Sequence, residues 1–219
     1  MRDIRYFLSL IDEYSSYLKG KIEFSNSGFP IFDKSMFLDE IPENVITYPN
    51  RNSIYVKNPS KTVICFYAPD RLLYPRLDKV IENLDEYKKF LGVVGMDLTV
   101  TKDMDIEWQK AIMLLNQLHM AILACNGVKI VANLRNGSDE TVECLSGIPR
   151  NVMCATGFLG CMKDKCIYDF RFISKVLSVC PSMLIIYGKH DPLAEDYLSK
   201  MGVRYRVYKD FHRISKRGR

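Results

Sequence analysis

Long apolar runs are missing. No stretch approaches the roughly 20 residues that a membrane-crossing helix requires, so no membrane partner is expected. A secretory signal is missing too. Met1-Arg2-Asp3-Ile4-Arg5-Tyr6 carries charge early, and the apolar stretch after it is broken by Asp12 and Glu13. The expectation is a soluble, cytoplasmic protein. A disulfide pattern is absent as well. The seven cysteines (Cys65, Cys125, Cys144, Cys154, Cys161, Cys166 and Cys180) are odd in number, scattered and mostly set in apolar runs. Free cysteines of that kind behave as small hydrophobes. Cys161 and Cys166 form a C-x4-C pair, but no second pair exists to complete a zinc site, so no metal is expected. The run Thr156-Gly157-Phe158-Leu159-Gly160 lacks the Lys-Ser/Thr of a P-loop and the third glycine of a dinucleotide fingerprint. No nucleophile elbow is present, and nothing names a cofactor.

What is there is a chain of 219 residues, 47% hydrophobic, enough for one sizeable domain with an extension. Tyr6, Phe7, Leu10, Ile11, Tyr14 and Leu18 recur at helical spacing and predict a first helix over 3–18. Pro30, Pro42, Pro49 and Pro59 punctuate the stretch 21–60, which reads as an irregular arm whose short extended pieces, such as 44–48, drape over the main body. A regular rhythm follows. Strands are predicted near 62–67, 92–98, 128–134, 151–156, 182–187 and 203–208. Helices are predicted between them near 77–91, 106–125, 139–145, 167–179 and 192–201. Three parts are therefore expected: a helix and proline-rich arm over 1–60, an α/β domain over 61–208 and a basic tail over 209–219.

Helical crossovers make successive strands parallel. The expected fold class is α/β, a mostly parallel sheet of about six strand–helix units. Periodicity leaves two closures open, an incomplete barrel or an open wound sheet. The strand near 203–208 alternates polar and apolar residues, so it belongs at a sheet edge with one wet face.

Parallel α/β folds bind ligands beyond the carboxyl ends of their strands. Asp97, Asn133, Arg135, Thr156, Gly157 and Lys189 fall there. Asp97 offers a carboxylate to a proton or a metal. Arg135 and Lys189 offer cations to a phosphate, and the Gly157–Gly160 turn offers backbone N–H groups. Asp97 stands out because a carboxylate within the apolar run 93–100 needs a partner once buried. His119 lies within the apolar helix and reads as packed. Charge is unevenly spread: residues 171–219 carry net +7 and the remainder net −2. Arg213, Lys216, Arg217 and Arg219 make the tail a candidate nucleic-acid contact.

The order of Val94-Gly95-Met96-Asp97-Leu98-Thr99, Asp103-Met104, a helix holding Asn116, Asn133-Leu134-Arg135-Asn136-Gly137, Leu145-Ser146-Gly147-Ile148-Pro149, the Thr156–Gly160 turn and Tyr187-Gly188-Lys189 resembles an uncharacterised domain-of-unknown-function family of bacteria, phages and mobile elements. The likeness spans about residues 40–190. It departs at Met96, where the family has proline, and at Asn136, where an aromatic is common. The resemblance implies a phage or mobile-element setting and no chemistry. It marks Asp97, Asn133, Arg135, Gly147 and Lys189.

Three functions are compatible with these residues. The first is binding of a phosphate-bearing ligand, a nucleotide or nucleic acid, at the strand ends. The second is an interaction factor acting on a host protein. The third is a metal-dependent hydrolase or nuclease using Asp97, with Asp70 and Asp191 joining it if their loops meet.

Overall fold

The computed structural model describes residues 4–158 and 170–215. Helix α1 (Ile4–Leu18) buries Phe7, Leu10, Tyr14 and Leu18, one face at helical spacing. The arm begins with a small antiparallel ladder, β1 (Glu23–Phe24) against β2 (Pro30–Ile31). It then docks on the body. The Phe32 N–H donates to the Gly147 carbonyl at 2.9 Å and the Leu38 N–H to the Ile130 carbonyl at 2.8 Å. Gly147 is required by that docking: a Cβ there would lie 2.1 Å from the Pro30 carbonyl oxygen.

Seven strands then run parallel in chain order. They are β3 (Asn44–Thr47), β4 (Thr62–Cys65), β5 (Gly92–Val94), β6 (Ile130–Asn133), β7 (Met153–Phe158), β8 (Met183–Gly188) and β9 (Tyr205–Tyr208). The sheet curls until it is nearly a closed barrel, with one seam between β3 and β9. Of the two closures the periodicity allowed, the incomplete barrel is the one adopted. The strand outside the rhythm is β3, expected only as a short extended piece of the arm and here a parallel member of the sheet. Only four residues long, it sits between proline-rich turns, and its 48–61 connection to β4 contains only short turns of 3-10 helix. As expected, β9 is an edge. The Tyr208 hydroxyl bridges the seam, donating to the Pro42 carbonyl at 2.6 Å.

Strand alternation sorts the core into two layers. Val45, Val63, Cys65, Tyr67, Val94, Val131, Met153, Ala155, Met183, Ile185, Tyr187 and Tyr208 pack together inside the barrel, with Leu38 from the arm. Their neighbours Ile64, Phe66, Val93, Ala132, Cys154, Leu184 and Ile186 face outward to the helices. The inside is filled by side chains, so the barrel is a packed core rather than a pore.

The outer layer comprises α2 (Asp70–Leu77), α3 (Leu84–Tyr87), α4 (Ile106–Cys125), a 3-10 helix over Asp139–Leu145, α5 (Phe170–Val179) and α6 (Pro192–Lys200). Of the predicted 77–91 helix only the single turn of α3 is helical beyond Leu77, the rest being turns. Helix α2 starts earlier, and the chain then turns. The Asn83 side chain donates to the Lys79 carbonyl at 2.7 Å, competing with the helical ladder. Helix α4 has the predicted bounds. Asp105 caps it, its carboxylate accepting from the N–H groups of Glu107 and Trp108. Its middle is buried on all sides because α1 covers the face turned away from the sheet. His119 in that middle is 0% exposed, and neither ring nitrogen has a hydrogen-bond partner. Burial pushes its pKa down to about 3.

The beginning of the expected tail is folded. Asp210 is buried and caps α7 (Phe211–Ser215), accepting from the Arg213 N–H at 3.1 Å. Among the described residues no helix is long and apolar enough to cross a membrane.

Candidate functional site

The carboxyl ends of β4, β5 and β6 bring four polar side chains together. Tyr67, just past β4, continues the inward alternation of Val63 and Cys65. Its ring stacks on Tyr187 at 5.8 Å and closes the top of the barrel interior. Gly157 makes room for it: a Cβ there would stand 3.1 Å from the Tyr67 ring. The Tyr67 hydroxyl donates to Asn133 Oδ1 at 3.2 Å. Asn133 Nδ2 donates to Asp97 Oδ1 at 2.8 Å and to the Met96 carbonyl at 3.0 Å. Arg135 Nη1 stands 3.7 Å from Asp97 Oδ1, and its Nη2 donates to the Val100 carbonyl at 3.1 Å.

This cluster answers the question posed by Asp97. Its carboxylate is 16% exposed and finds both an amide donor and a guanidinium. Tyr67 is the neutral member. Burial first, and then the negative charge of Asp97, hold its pKa well above the usual phenol value, so it stays a hydrogen-bond donor. Arg135 is the adaptable member. Its ion pair is long, and its Nε is buried without a hydrogen-bond partner.

The other strand-end residues do not join this group. Thr156 lies one residue from inward-facing Ala155 and shares the outward face with Cys154 and Ile186. Gly157 contributes by letting Tyr67 in. Lys189 is exposed, and among the described residues no hydrogen bond or ion pair ties it to Asp97, Asn133 or Arg135. Its backbone N–H donates to the Phe158 carbonyl at 3.1 Å. Gly160, Cys161 and Cys166 lie outside the described residues.

The carboxylates suggested as partners for Asp97 are engaged elsewhere. Asp70 accepts from the backbone and hydroxyl of Thr99 at 3.1 and 3.0 Å. Asp191 caps α6, accepting from the N–H groups of Leu193 and Ala194. Among the described residues, no three His, Cys, Asp or Glu side chains gather as a metal-binding group. In the tail, Arg213 is ion-paired with the buried Asp210. Lys216, Arg217 and Arg219 lie outside the described residues.

Two residues of the neighbourhood carried a sequence signal that strand-end logic passes over. Asn116 and Gln117 are adjacent amides in the most apolar helix, where a polar pair is out of place. They are 7% and 5% exposed. Together with Gly95, Met96, Asn133 and Arg135 they line a small cavity between the sheet ends and α4. Tyr67 gave no such signal, because an aromatic at the end of an apolar strand is ordinary core.

No curated protein and no solved structure matches this chain. One family model, described as a domain of unknown function, matches residues 25–206 and so covers the barrel with most of its arm. The chain therefore belongs to the DUF4417 family.

Proposed function

We propose that this protein binds a phosphate-bearing ligand, a nucleotide in preference to a nucleic acid, at the barrel mouth formed by Tyr67, Asp97, Asn133 and Arg135. The observation that carries the reading is the state of Arg135. Its guanidinium sits at the carboxyl ends of parallel strands with a 3.7 Å ion pair. An incoming phosphate offers it shorter, charge-assisted hydrogen bonds. Tyr67 and Asn133 supply neutral polar contacts beside it. Asp97 orients Asn133 and balances the guanidinium charge while the site is open. A small ligand is preferred over a nucleic acid because Arg213, the described member of the four tail residues nominated for nucleic acid, is already paired with Asp210. A cytoplasmic setting, supported by the odd and scattered cysteines, and a mobile-element setting, supported by the family resemblance, are part of the reading.

Titration calorimetry with nucleoside monophosphates and inorganic phosphate tests it. Binding should weaken with added salt and fall at least about tenfold in Arg135→Gln. No binding, or binding indifferent to both changes, would sink the reading.

One observation favours a second reading, docking of another protein. Three isoleucines of the arm, Ile31, Ile41 and Ile54, are exposed, the last at 86%. A pull-down from host lysate that captures one partner, and loses it in Ile54→Ser, would support that reading over the first.

A further inference from the structure

Behind the Asp97–Arg135 pair lies a cavity of about 20 Å³, lined by Asn116, Gln117, Asn133 and Arg135 and otherwise by apolar residues including Met96, Met113 and Met120. That is room for one non-hydrogen atom and its hydrogens, about a water's worth. Three of the polar lining residues each have a buried atom with no hydrogen-bond partner: Asn116 Nδ2, Gln117 Oε1 and Arg135 Nε.

The chemistry of those three atoms is fixed by what the rest of each side chain does. Asn116 Oδ1 accepts from the Leu98 N–H at 3.2 Å, which leaves its amide nitrogen as the spare group, a donor. Gln117 Nε2 donates to the Cys144 carbonyl at 2.7 Å, which leaves its oxygen as the spare group, an acceptor. Arg135 Nε–H is a donor under all conditions. The unmet demand is therefore two donors and one acceptor. A buried polar atom left unpaired is costly, so three of them around one cavity point to an occupant.

A hydroxyl meets that demand: its oxygen accepts two hydrogen bonds and its proton donates one. An ammonium cannot accept, and a carboxylate cannot donate. A methyl group fits the space and satisfies nothing. Water also fits, but a ligand hydroxyl that repeats its hydrogen bonds displaces it without loss.

Resting on the phosphate-binding reading above, we infer that the ligand carries a hydroxyl group that enters this cavity while its phosphate engages Arg135. The substrate class is a hydroxylated phosphate, such as a sugar phosphate or the ribose end of a nucleotide. Asn116 and Gln117 are then specificity-determining residues. Arg135 serves both ends, its Nη groups facing the anion and its Nε the hydroxyl.

The test compares glycerol 3-phosphate and ribose 5-phosphate with n-propyl phosphate, which lacks a free carbon-bound hydroxyl, and with inorganic phosphate. Binding is followed by 15N-resolved NMR, which reports the Asn116 side-chain amide and Arg135 Nε–H directly. At least one hydroxylated probe should bind about tenfold more tightly than n-propyl phosphate, the scale of one or two buried hydrogen bonds. It alone should shift the Asn116 side-chain amide signals. In Gln117→Met the preference should disappear while n-propyl phosphate binding persists. Equal binding of hydroxylated and hydroxyl-free phosphates in the wild type, with those signals unmoved, would overturn this inference and leave the phosphate-binding reading standing. Binding of none of the four would overturn this inference, and failure of nucleoside monophosphates to bind as well would overturn both. A preference that survives in folded Gln117→Met would also overturn the assignment to this cavity.

Discussion

The ends of β5 and β6 and the ends of β7 and β8 occupy equivalent places in one barrel, yet they are built differently. At β5 and β6, Asp97, Asn133 and Arg135 are joined to one another and to Tyr67, with a small cavity behind them. At β7 and β8, Thr156 faces the outer layer, Gly157 serves as space for Tyr67, and Lys189 is exposed apart from the cluster. A strand's carboxyl end is thus an address and not a site. A site needs side chains that face inward and hold one another in place, so that their groups are fixed before a ligand arrives.

Substitutions on the two sides should separate accordingly. The largest effect should come from Asn133→Leu, which removes the amide partner of Asp97 and the acceptor of Tyr67. Leaving a half-buried carboxylate and a buried phenol without those bonds should cost about 3 kcal/mol, read by urea denaturation. The region behind β5 and β6 should also set the acid response. In the unfolded chain an imidazole takes a proton near pH 6.5, whereas His119 in the fold takes one only near pH 3. Between those values the unfolded state binds more protons, so stability falls as pH falls. The slope attributable to His119 approaches about 1.4 kcal/mol per pH unit and should vanish in His119→Leu, measured from pH 6 to pH 4. A smaller loss, about 1 kcal/mol, is expected for Asp210→Ala at the seam side, where the cap of α7 and the partner of Arg213 are removed together. Lys189→Ala should change stability by less than about 0.5 kcal/mol. A large effect there would break the contrast.

Much of this was legible in the chain itself. Continuous apolar runs predicted five buried parallel strands and an alternating run the sixth at the edge, and the capping Asp105 with the apolar spacing through Ile122 predicted the limits of α4. The seventh strand was legible only as a short extended piece and not as part of the sheet, because Asn44–Thr47 is too short to show a period and lies among turn-forming residues. Closure was not legible either. A strand buried on both faces reads the same in an open sheet and in a barrel, and the seam is recognised only when the Tyr208 hydroxyl meets the Pro42 carbonyl across 166 residues of chain. In the candidate site, the anomaly of Asp97 was visible as a charge in an apolar run, and Asn133 and Arg135 followed from strand-end position. The same logic also nominated Thr156 and Lys189, since position along a strand does not say which face the next side chain takes. Tyr67 stayed hidden as an ordinary aromatic. Asn116 and Gln117 were visible as polar residues in a buried helix, but their link to Arg135 exists only in three dimensions.

The most direct measurement is a paired calorimetric titration of Arg135→Gln and Lys189→Gln with a nucleoside monophosphate, beside the wild type and at two salt concentrations. Arg135→Gln should weaken binding at least about tenfold and flatten its salt dependence, while Lys189→Gln should stay within about twofold of wild type. Binding lost in Lys189→Gln and retained in Arg135→Gln would contradict the account and move the site to the ends of β7 and β8.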